Sequence, residues 1–409
     1  MLNGLPNIRH MRVFLETLRT GSVSHAAGLC HLSQPAATQA IRKLEEALGT
    51  ALLIRHGKRF SPTPCGALFV RRVEAALGHL QSGARTAARP GGEAARRLRG
   101  LDRQVTAAQL RALVAVANCG SFTVAARMLG LAQPTIHRAA RSLEALAGVP
   151  FFRATPTGVE LTTAAQAFVL GAKLAQAEIR QGVEEIGREL GEDRGTFVLG
   201  SLPLARSRIL PRAIHALIDE RQGVQVRVVD GRYAELLRSL REGDLDCLIG
   251  ALRDPAPAED VVEETLFHDE LVIVAGPSHP LRNRKGVSFE DTLAFPWVAP
   301  PRDTPAGGYL FHTLRIQDRA QSPVRVVSSS LVLLRGILAQ GDYLSIISRH
   351  QVAQDLAEGR MIAVDIALCH HSRPIGLTYR RDWRPTETQA RFLDFLRAFG
   401  PETDALAKA

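Results

Sequence analysis

Apolar residues follow two different textures along the chain. As far as about residue 190 they recur at steps of three and four, the mark of helices with one buried face. From Gly195 onward they gather into short β-branched runs separated by helical stretches. Near the start, Met11, Phe14, Leu15 and Leu18 mark a first helix that Gly21 ends, and Ser22 caps a second carrying Ala26 and Ala27. After a turn at 30–32, a third helix opens with Ser33-Gln34-Pro35, proline being tolerated where N–H groups are unpaired anyway. Its Ala37, Ile41, Leu44 and Leu48 face a core. Apolar Leu52, Leu53 and Phe60 then bracket the basic turn Arg55-His56-Gly57-Lys58-Arg59, which predicts a hairpin.

The pattern returns at a constant offset of 99 residues. Gly21-Ser22-Val23-Ser24-His25-Ala26-Ala27 recurs as Gly120-Ser121-Phe122-Thr123-Val124-Ala125-Ala126, Gln34-Pro35 as Gln133-Pro134, Leu44-Glu45 as Leu143-Glu144, and Thr63 as Thr162. One offset held by every pair indicates a duplicated domain, and only two copies argue against a solenoid. In the second copy Leu110, Leu113, Val114 and Ala117 answer the first helix. Ile136, Ala140, Leu143 and Ala147 answer the buried face of the third.

The other face of each third helix carries the chemistry. Gln34, Thr38 and Arg42 lie together at steps of four, with Ser33 and Pro35 at the helix start. Gln133, His137 and Arg141 repeat that row, with Thr135 beside them. Short hydrogen-bonding side chains near the amino end and arginine further along suit a helix that reaches base edges and phosphates in a major groove. A solvated polar face is the plainer reading of one such helix. Two of them, each second in a helix-turn-helix, favour the groove reading. Arg55, Lys58 and Arg59 then form a wing against the DNA backbone, whereas the second wing keeps only Arg153, so the first is the stronger expected contact.

Charge supports this division. Residues 1–190 hold 24 Lys and Arg against 12 Asp and Glu, a balance of +12; residues 191–409 hold 27 against 29, a balance of −2. A basic half beside a near-neutral half fits nucleic-acid binding by the first and another task for the second. With 45% hydrophobic and 22% charged residues among 409, the chain is globular and multidomain. The amino terminus lacks the apolar core of a signal peptide, and five scattered cysteines (30, 65, 119, 247 and 369) form no CxxC pair, so a cytoplasmic location is expected.

Five segments follow. Module one spans 1–80 and includes the short row Phe69, Val73, Ala76 and Leu80, which stops at Gly83 and suits packing on its own chain. Residues 81–104, with Gly83, Pro90, Gly91 and Gly92 and with Arg85, Arg89, Arg96, Arg97 and Arg99, read as a basic flexible linker. Module two spans 105–163. Phe168, Ala172, Ala175, Ile179, Val183, Ile186 and Leu190 then form a near-heptad seam in a helix over 164–194, expected to pair between subunits, the alternative being a helix lying on its own domain. Beyond 195, runs at 197–200, 224–229, 245–249, 271–275, 324–327 and 344–347 alternate with helical stretches at 208–219, 233–242 and 331–340, which predicts parallel α/β sheets. The whole is a multidomain α plus α/β protein.

These residues resemble the LysR-type transcriptional regulators. The resemblance rests on 21–27, on Leu32-Ser33-Gln34-Pro35-Ala36, on Leu44-Glu45-Glu46-Ala47-Leu48-Gly49, and on Arg55, Gly57, Thr63, Pro64 and Gly66. The second module is an eroded copy, with Ala132 for the usual serine and Ala154 where Arg55 stands. Gln39 departs from a recognition-helix arginine that the second module retains as Arg138. The strings 229–233, 243–246 and 271–281 resemble the family's effector domain. That implies a periplasmic-binding-protein-like fold over 195–409: subdomain I at 195–274 and 376–409, subdomain II at 275–375, a crossover near Ala275 and a return near Ile375–Tyr379. A cleft between the subdomains would take a small molecule through Ser201, Leu202, Pro203, Tyr233, Gly250, Thr304, Ser328, Ser329 and Ser330, although any one serine would equally serve as a helix cap. Val228-Val229-Asp230-Gly231 and Gly250-Ala251-Leu252-Arg253 are most similar to members responding to sugars or to acids of aromatic catabolism. The resemblance also implies homo-oligomers and promoter DNA as partner.

Catalysis finds no motif. The chain has no GxSxG, HExxH, P-loop or GxGxxG, and His370-His371, the one adjacent histidine pair, usually points apart. No cofactor or metal is expected. The competing reading is a small-molecule-binding or enzymatic α/β protein whose helical half serves assembly and binds DNA only through its charge.

Overall fold

A computed structural model describes residues 5–57, 59–89, 93–253, 255–318, 322–369 and 371–407, so Lys58, Pro90, Gly91, Gly92 and His370 lie outside the described residues. Two compact units form, residues 1–196 with 242–244, and 197–241 with 245–409.

In the first unit, helices α1 (Ile8–Thr20), α2 (Val23–Leu29) and α3 (Gln34–Leu48) precede the antiparallel hairpin of β1 (Leu53–His56) and β2 (Arg59–Pro62) and the long α4 (Pro64–Ala87). Short helices α5 (Glu93–Arg99) and α6 (Leu101–Gln104) lead to the second copy. It comprises α7 (Ala107–Cys119), α8 (Phe122–Leu129), α9 (Gln133–Ala147), the hairpin of β3 (Phe152–Thr155) and β4 (Gly158–Leu161), and α10 (Thr163–Glu189).

The residues that repeat at the 99-residue offset make the same bonds twice. Glu45 accepts from the Leu52 and Leu53 N–H groups at 2.8 and 3.2 Å, and Glu144 from Phe151 and Phe152 at 2.8 and 3.1 Å. Each carboxylate thereby ties a third helix to the start of its hairpin. Thr63 and Thr162 donate to the Ala51 and Pro150 carbonyls while accepting from Gly66 and Ala165 N–H as helix caps. Gly21 and Gly120 turn left-handed at φ 70° and 60°, which side chains rarely adopt. Their carbonyls take the Phe60 and Val159 N–H groups, so the glycine ending each first helix also seats each hairpin.

The connecting segment departs from expectation. Gly83 does not break a helix; α4 runs through it to Ala87, and Gly83 is where α4 meets α10 backbone to backbone. Nor are residues 93–104 a flexible linker. Ala95, Leu98, Leu101 and Val105, at steps of three and four, bury their side chains, and buried Asp102 pairs with Arg12 of α1 at 3.4 Å. An arginine-rich composition concealed an amphipathic pattern.

The seam of α10 covers α4 of the same chain, so the alternative of a helix lying on its own domain holds within the chain. Phe168, Ala172, Ala175, Ile179 and Ile186 are buried, as are Phe69, Val73, Ala76 and Leu80 of α4, in one continuous core. Leu190, the seam's last member, is exposed. Arg72 of α4 sits inside the contact, donating to Glu185 at 2.5 Å, Glu178 at 3.0 Å and Gln181 at 2.8 Å. Burial works against its charge, but its hydrogen bonds to Glu185 and the charge of the two carboxylates outweigh it and hold the guanidinium pKa above its ordinary value.

In the second unit the order is β5 (Thr196–Ser201), α11 (Ile209–Glu220), β6 (Gln225–Asp230), α12 (Tyr233–Arg241), β7 (Cys247–Ala251), β8 (Val261–Ala275), α13 (Phe289–Thr292), β9 (Trp297–Ala299), α14 (Pro305–Gly308), β10 (Val324–Val327), α15 (Leu331–Leu338), β11 (Leu344–Ser348), α16 (Arg349–Ala357), β12 (Ile362–Ala363), β13 (Ser372–Arg380) and α17 (Glu387–Ala407). Strands order as β10-β9-β11-β8-β13-β7-β5-β6, with β12 also on β8. The sheet is mixed and not purely parallel, because β8 and β13 run antiparallel to their neighbours.

Those two strands connect two cores, one around Phe197, Trp383 and Phe392, the other around Trp297, Leu310 and Ile346. Strand β8 pairs with β13 from Val261 to Glu270 and with β11 from Leu271 to Ala275. The switch therefore falls at Glu270–Leu271, earlier than the boundary before Ala275, and β13 already returns at Ser372, ahead of Ile375. Only the second half of β8, Leu271–Ala275, is a continuous apolar run, and it starts where the pairing partner changes. Beside it, buried Asp269 accepts from Ser348 at 2.5 Å, from Arg373 at 3.1 Å, and meets His350 Nδ1 at 2.8 Å, joining β8, β11, α16 and β13.

Two stability outcomes test this packing. A Cβ on Gly171 of α10 would stand 2.5 Å from the His79 carbonyl oxygen, whereas Gly78 has open space. Gly171→Ala is expected to lower stability by about 1–3 kcal/mol and Gly78→Ala to raise it slightly, read as opposite shifts in thermal unfolding. Asp269→Ala strands three donors and is expected to cost about 3–5 kcal/mol in denaturant titration.

Candidate functional site

The recognition face of α3 is open to solvent. Ser33 caps the helix by accepting the Ala36 N–H, and Gln34, Pro35, Thr38, Gln39 and Arg42 are exposed above the buried row Ala37, Ala40, Ile41 and Leu44. The Thr38 hydroxyl donates to the Gln34 carbonyl at 3.0 Å, and Arg42 pairs with Glu46 at 2.9 Å. Both contacts are local and exposed, so either side chain can leave them at little cost.

On α9, Gln133, Thr135, His137, Arg138 and Arg141 are exposed above Ile136, Ala140, Leu143 and Ala147. Two differences follow from sequence. Ala132 gives α9 no side-chain cap, and the His137 imidazole lies tilted against the Phe122 ring with centroids 5.3 Å apart. Arg141 pairs with Glu144 at 2.7 Å. The turn before α3 holds His31 left-handed at φ 54°, where the second copy has Gly130 at 64°.

The hairpins differ more. In the first, Arg55 and Arg59 are exposed, and Arg55 donates to the Gly57 carbonyl at 2.9 Å across the turn. In the second, Arg153 is exposed, but Thr155 and Thr157 face each other where the first copy has His56 and Lys58. The basic residues of α5, Arg96, Arg97 and Arg99, are exposed too, so the packed connector adds cations to the same unit.

In the second unit a cavity of about 2120 Å³ opens between the two cores, more than the roughly 300–1,000 Å³ that suffices for one small ligand. Leu202, Pro203, Tyr233, Thr304 and Ser328, Ser329 and Ser330 line it. Ser201 and Gly250 do not. Ser201 is fully buried and spends its hydroxyl on the Leu202 carbonyl at 3.2 Å. Gly250 faces the Leu202 side chain so closely that a Cβ would stand 2.4 Å from it, which makes that glycine a packing requirement. Thr304 and Ser330 do cap helices, accepting the Gly307 and Leu333 N–H groups, and they line the cavity as well.

Arginine dominates the lining, and sequence reasoning missed it. Arg206, Arg208, Arg212, Arg232, Arg253, Arg335, Arg349 and Arg373 reach the cavity, against Glu235 and Asp303 as its only carboxylates among the described residues. Arg206 pairs with Asp230, Arg335 with Asp355 and Arg373 with Asp269. Arg253 stacks 4.5 Å over the Tyr233 ring. Burial and the charge of Glu263 raise the Tyr233 phenol pKa, with Arg253 offsetting part of the shift, so Tyr233 presents a neutral hydroxyl. These arginines come from loops, from helices and from β13, in segments far apart in sequence, and no spacing announces them.

No cluster of three or more metal-ligating side chains occurs among the described residues, and no single helix there is long and apolar enough to cross a membrane. Cys247 is buried in β7, and burial pushes its thiol pKa far up, which disfavours thiolate chemistry.

Comparison with known proteins agrees with this geometry. The model for a bacterial regulatory helix-turn-helix protein of the lysR family matches twice, at residues 8–67 and 107–166, and that for a LysR substrate binding domain matches 190–400. The HTH-type transcriptional regulator GalR of Pseudomonas putida is 30% identical over 376 residues, 92% of this chain and 93% of that protein. PcaQ of Agrobacterium fabrum is 28% identical over 286 residues, 70% of this chain and 92% of its own. A full-length OxyR variant from Pseudomonas aeruginosa shares the fold at TM-score 0.51 and 20% identity, covering 71% of this chain and 97% of that one. Two helix-turn-helix matches, the substrate-domain match and a relative aligned over nearly the whole length agree: the chain belongs to the LysR family of bacterial transcriptional regulators.

Proposed function

We propose that both modules of this regulator read bases, and that its effector is a small organic anion. The exposure of two complete polar faces, on α3 and α9, supports the first part. Gln34, Thr38 and Gln39 with Ser33 and Pro35 would read one half-site, and Gln133, Thr135, His137 and Arg138 the other. Arg42 and Arg141 reach phosphates, with Arg55, Lys58 and Arg59 along the first wing and Arg153 along the second. Duplication then supplies two unlike sequence preferences in one chain.

The excess of arginine around the cavity carries the second part. A neutral sugar can accept hydrogen bonds from guanidinium groups but gains no charge pairing, whereas a carboxylate is bound by arginine bidentately and with its charge offset. This favours acids, including those of aromatic catabolism, over sugars. Arg208, Arg232 and Arg349, whose side chains have no carboxylate partner among the described residues, are the first candidates. Tyr233, Thr304, Ser328, Ser329 and Ser330 would complete the contacts, with Leu202 and Pro203 as apolar wall.

Binding would act on the switch between the two cores. Arg373 and His350 line the cavity and also hold Asp269 beside that switch, so an anion competes with Asp269 for a shared cation. Only a ligand that binds the two arrangements unequally shifts their populations, and a shared cation provides that inequality. The functional division is then two reading modules, a packed connector, a long helix and an effector domain. Homo-oligomers acting in the cytoplasm complete the reading.

Two experiments test it. With fragments selected from genomic DNA, Gln34→Ala with Thr38→Ala should relax one half-site, and Gln133→Ala with His137→Ala the other, by about 1–3 kcal/mol of base discrimination each. Arg59→Ala should lower the slope of log affinity against log salt by about 1 without changing preference. If only the first pair matters, the second module is not a reader. In calorimetric titration with a panel of mono- and dicarboxylates and sugars, only acids should bind. Arg208→Ala and Arg349→Ala should weaken them about tenfold or more, and Ser201→Ala should not. Binding of sugars alone would refute the anion assignment.

A further inference from the structure

The helix pair α4·α10 has the geometry of a two-fold interface built inside one chain. Along α4 the contacts advance while along α10 they retreat: Gly83 lies against Gly171, and Arg72 lies against Gly182. The helices are therefore antiparallel. At the 99-residue offset, Gly83 corresponds to Gly182 and Arg72 to Gly171. Exchanging the two helices turns the first contact into the second, and both are present. Residue i touching the counterpart of j while j touches the counterpart of i is the condition for a two-fold interface. Here the symmetry is local and approximate, because the two halves are different sequences of one chain.

The sequence differences at this interface are not neutral. If two α4 helices from separate chains met in the same way, Arg72 would face His79, Ser82 and Thr86, the counterparts of Glu178, Gln181 and Glu185, and none of these is a carboxylate. A guanidinium with 5% of its side chain exposed would be left unpaired. If two α10 helices met, Glu178 and Glu185 would face Gly171 and be buried without a cation. Burying one unpaired charge is strongly unfavourable, so each like-with-like pairing is penalised and only the unlike pair is satisfied.

From this we infer that Arg72 with Glu178 and Glu185 is a pairing key. It locks the two DNA-binding modules of a single chain into an internal dimer and excludes α4·α4 and α10·α10 pairing between chains. One chain then presents two recognition helices related by a local two-fold. It binds an inverted pair of half-sites whose sequences differ, since Gln34, Thr38 and Gln39 read one and Gln133, His137 and Arg138 the other. The docked connector supports pairing within the chain. Arg12 holds Asp102 of α6, and Arg97 of α5 packs on Gly148 at the end of α9, so the segment between modules is itself fixed to both. The half-site statement rests on the base-reading role proposed above; the pairing statement does not.

Charge reversal in the full-length chain separates these cases. One variant carries Arg72→Glu; a second carries Glu178→Arg and Glu185→Arg; a third combines all three. The first two should lose about 100-fold or more in binding to the fragment selected by the unaltered chain, and should unfold at lower temperature. The combined variant should recover most of both. Co-expressing the first two as differently tagged chains should recover neither, because a key that works within a chain cannot be completed across chains. Recovery on co-expression would overturn the inference by showing that α4 of one chain pairs with α10 of another. So would single variants that behave like the unaltered chain, or a combined variant that fails to recover. Thermal unfolding reads the key without DNA, so a failure of base reading alone leaves that result standing. Footprints of the unaltered chain should show two inverted half-sites per chain; half-sites in direct repeat would contradict the local two-fold.

Discussion

The buried contact of α4 with α10 sets the geometry on which everything in the first unit depends. Its closest approach is made by Gly83 against Gly171, where the missing side chains let two backbones meet, and its register is fixed by Arg72 among Glu178, Gln181 and Glu185. An ion cluster of this kind adds little net stability over apolar side chains of equal volume, because desolvation consumes the Coulombic gain. What it supplies is discrimination, since every wrong partner leaves a buried charge alone. Both third helices hang on this contact through short connections, so their mutual orientation is inherited from it.

Outside the α4·α10 contact, the two copies have diverged mainly toward solvent. Bonds that build each module are the same, Glu45 and Glu144 on the hairpin N–H groups, Thr63 and Thr162 on the loop carbonyls, Gly21 and Gly120 at the helix ends. The solvent side keeps Gln34, Pro35 and Arg42 as Gln133, Pro134 and Arg141 but differs at the other positions that would meet DNA. Ser33 becomes Ala132, Thr38 becomes His137, and the cationic turn 55–59 becomes a neutral one around Thr155 and Thr157. Had the second copy been retained only as packing, its bonds would matter and its outer polar face would be free to lose Gln133, His137 and Arg138. The retained set is unlike the first, yet its residue types are ones whose side chains can hydrogen-bond base edges.

The sequence made the modules legible because their information is local: period, cap, turn and offset all lie within a few residues or recur at one spacing. The long α10 was legible for the same reason, and its partner was not, because a seam reports that a surface is needed without saying whose. In sequence Gly83 looks like a stop, whereas in the fold it is a close approach, a distinction that depends on Gly171 lying opposite. In the connector, the arginines masked Ala95, Leu98 and Leu101, whose spacing alone would have shown the helix. In the effector domain, hydroxyls at strand ends were visible in one dimension; Ser201 and Gly250 then proved to lie beneath Leu202. The arginines that converge on the cavity do so only in three dimensions.

That convergence bears on how an effector could be felt at all. In a cleft whose lining carries more cations than carboxylates, an entering anion would lower the repulsion between its walls, and on the reading proposed above this would couple occupancy to closure. Of the three pairs made by these arginines only Arg206 with Asp230 is exposed and soft, and would yield to a ligand at little cost. Asp355 and Asp269 are both wholly buried, and at Asp269 the bonds from Arg373, Ser348 and His350 cannot be given to water. A ligand that draws Arg373 away must leave that carboxylate to the other two donors. The four elements meeting at Asp269 must then adjust together, which is how one small anion could move a junction between two packed cores and not merely a side chain.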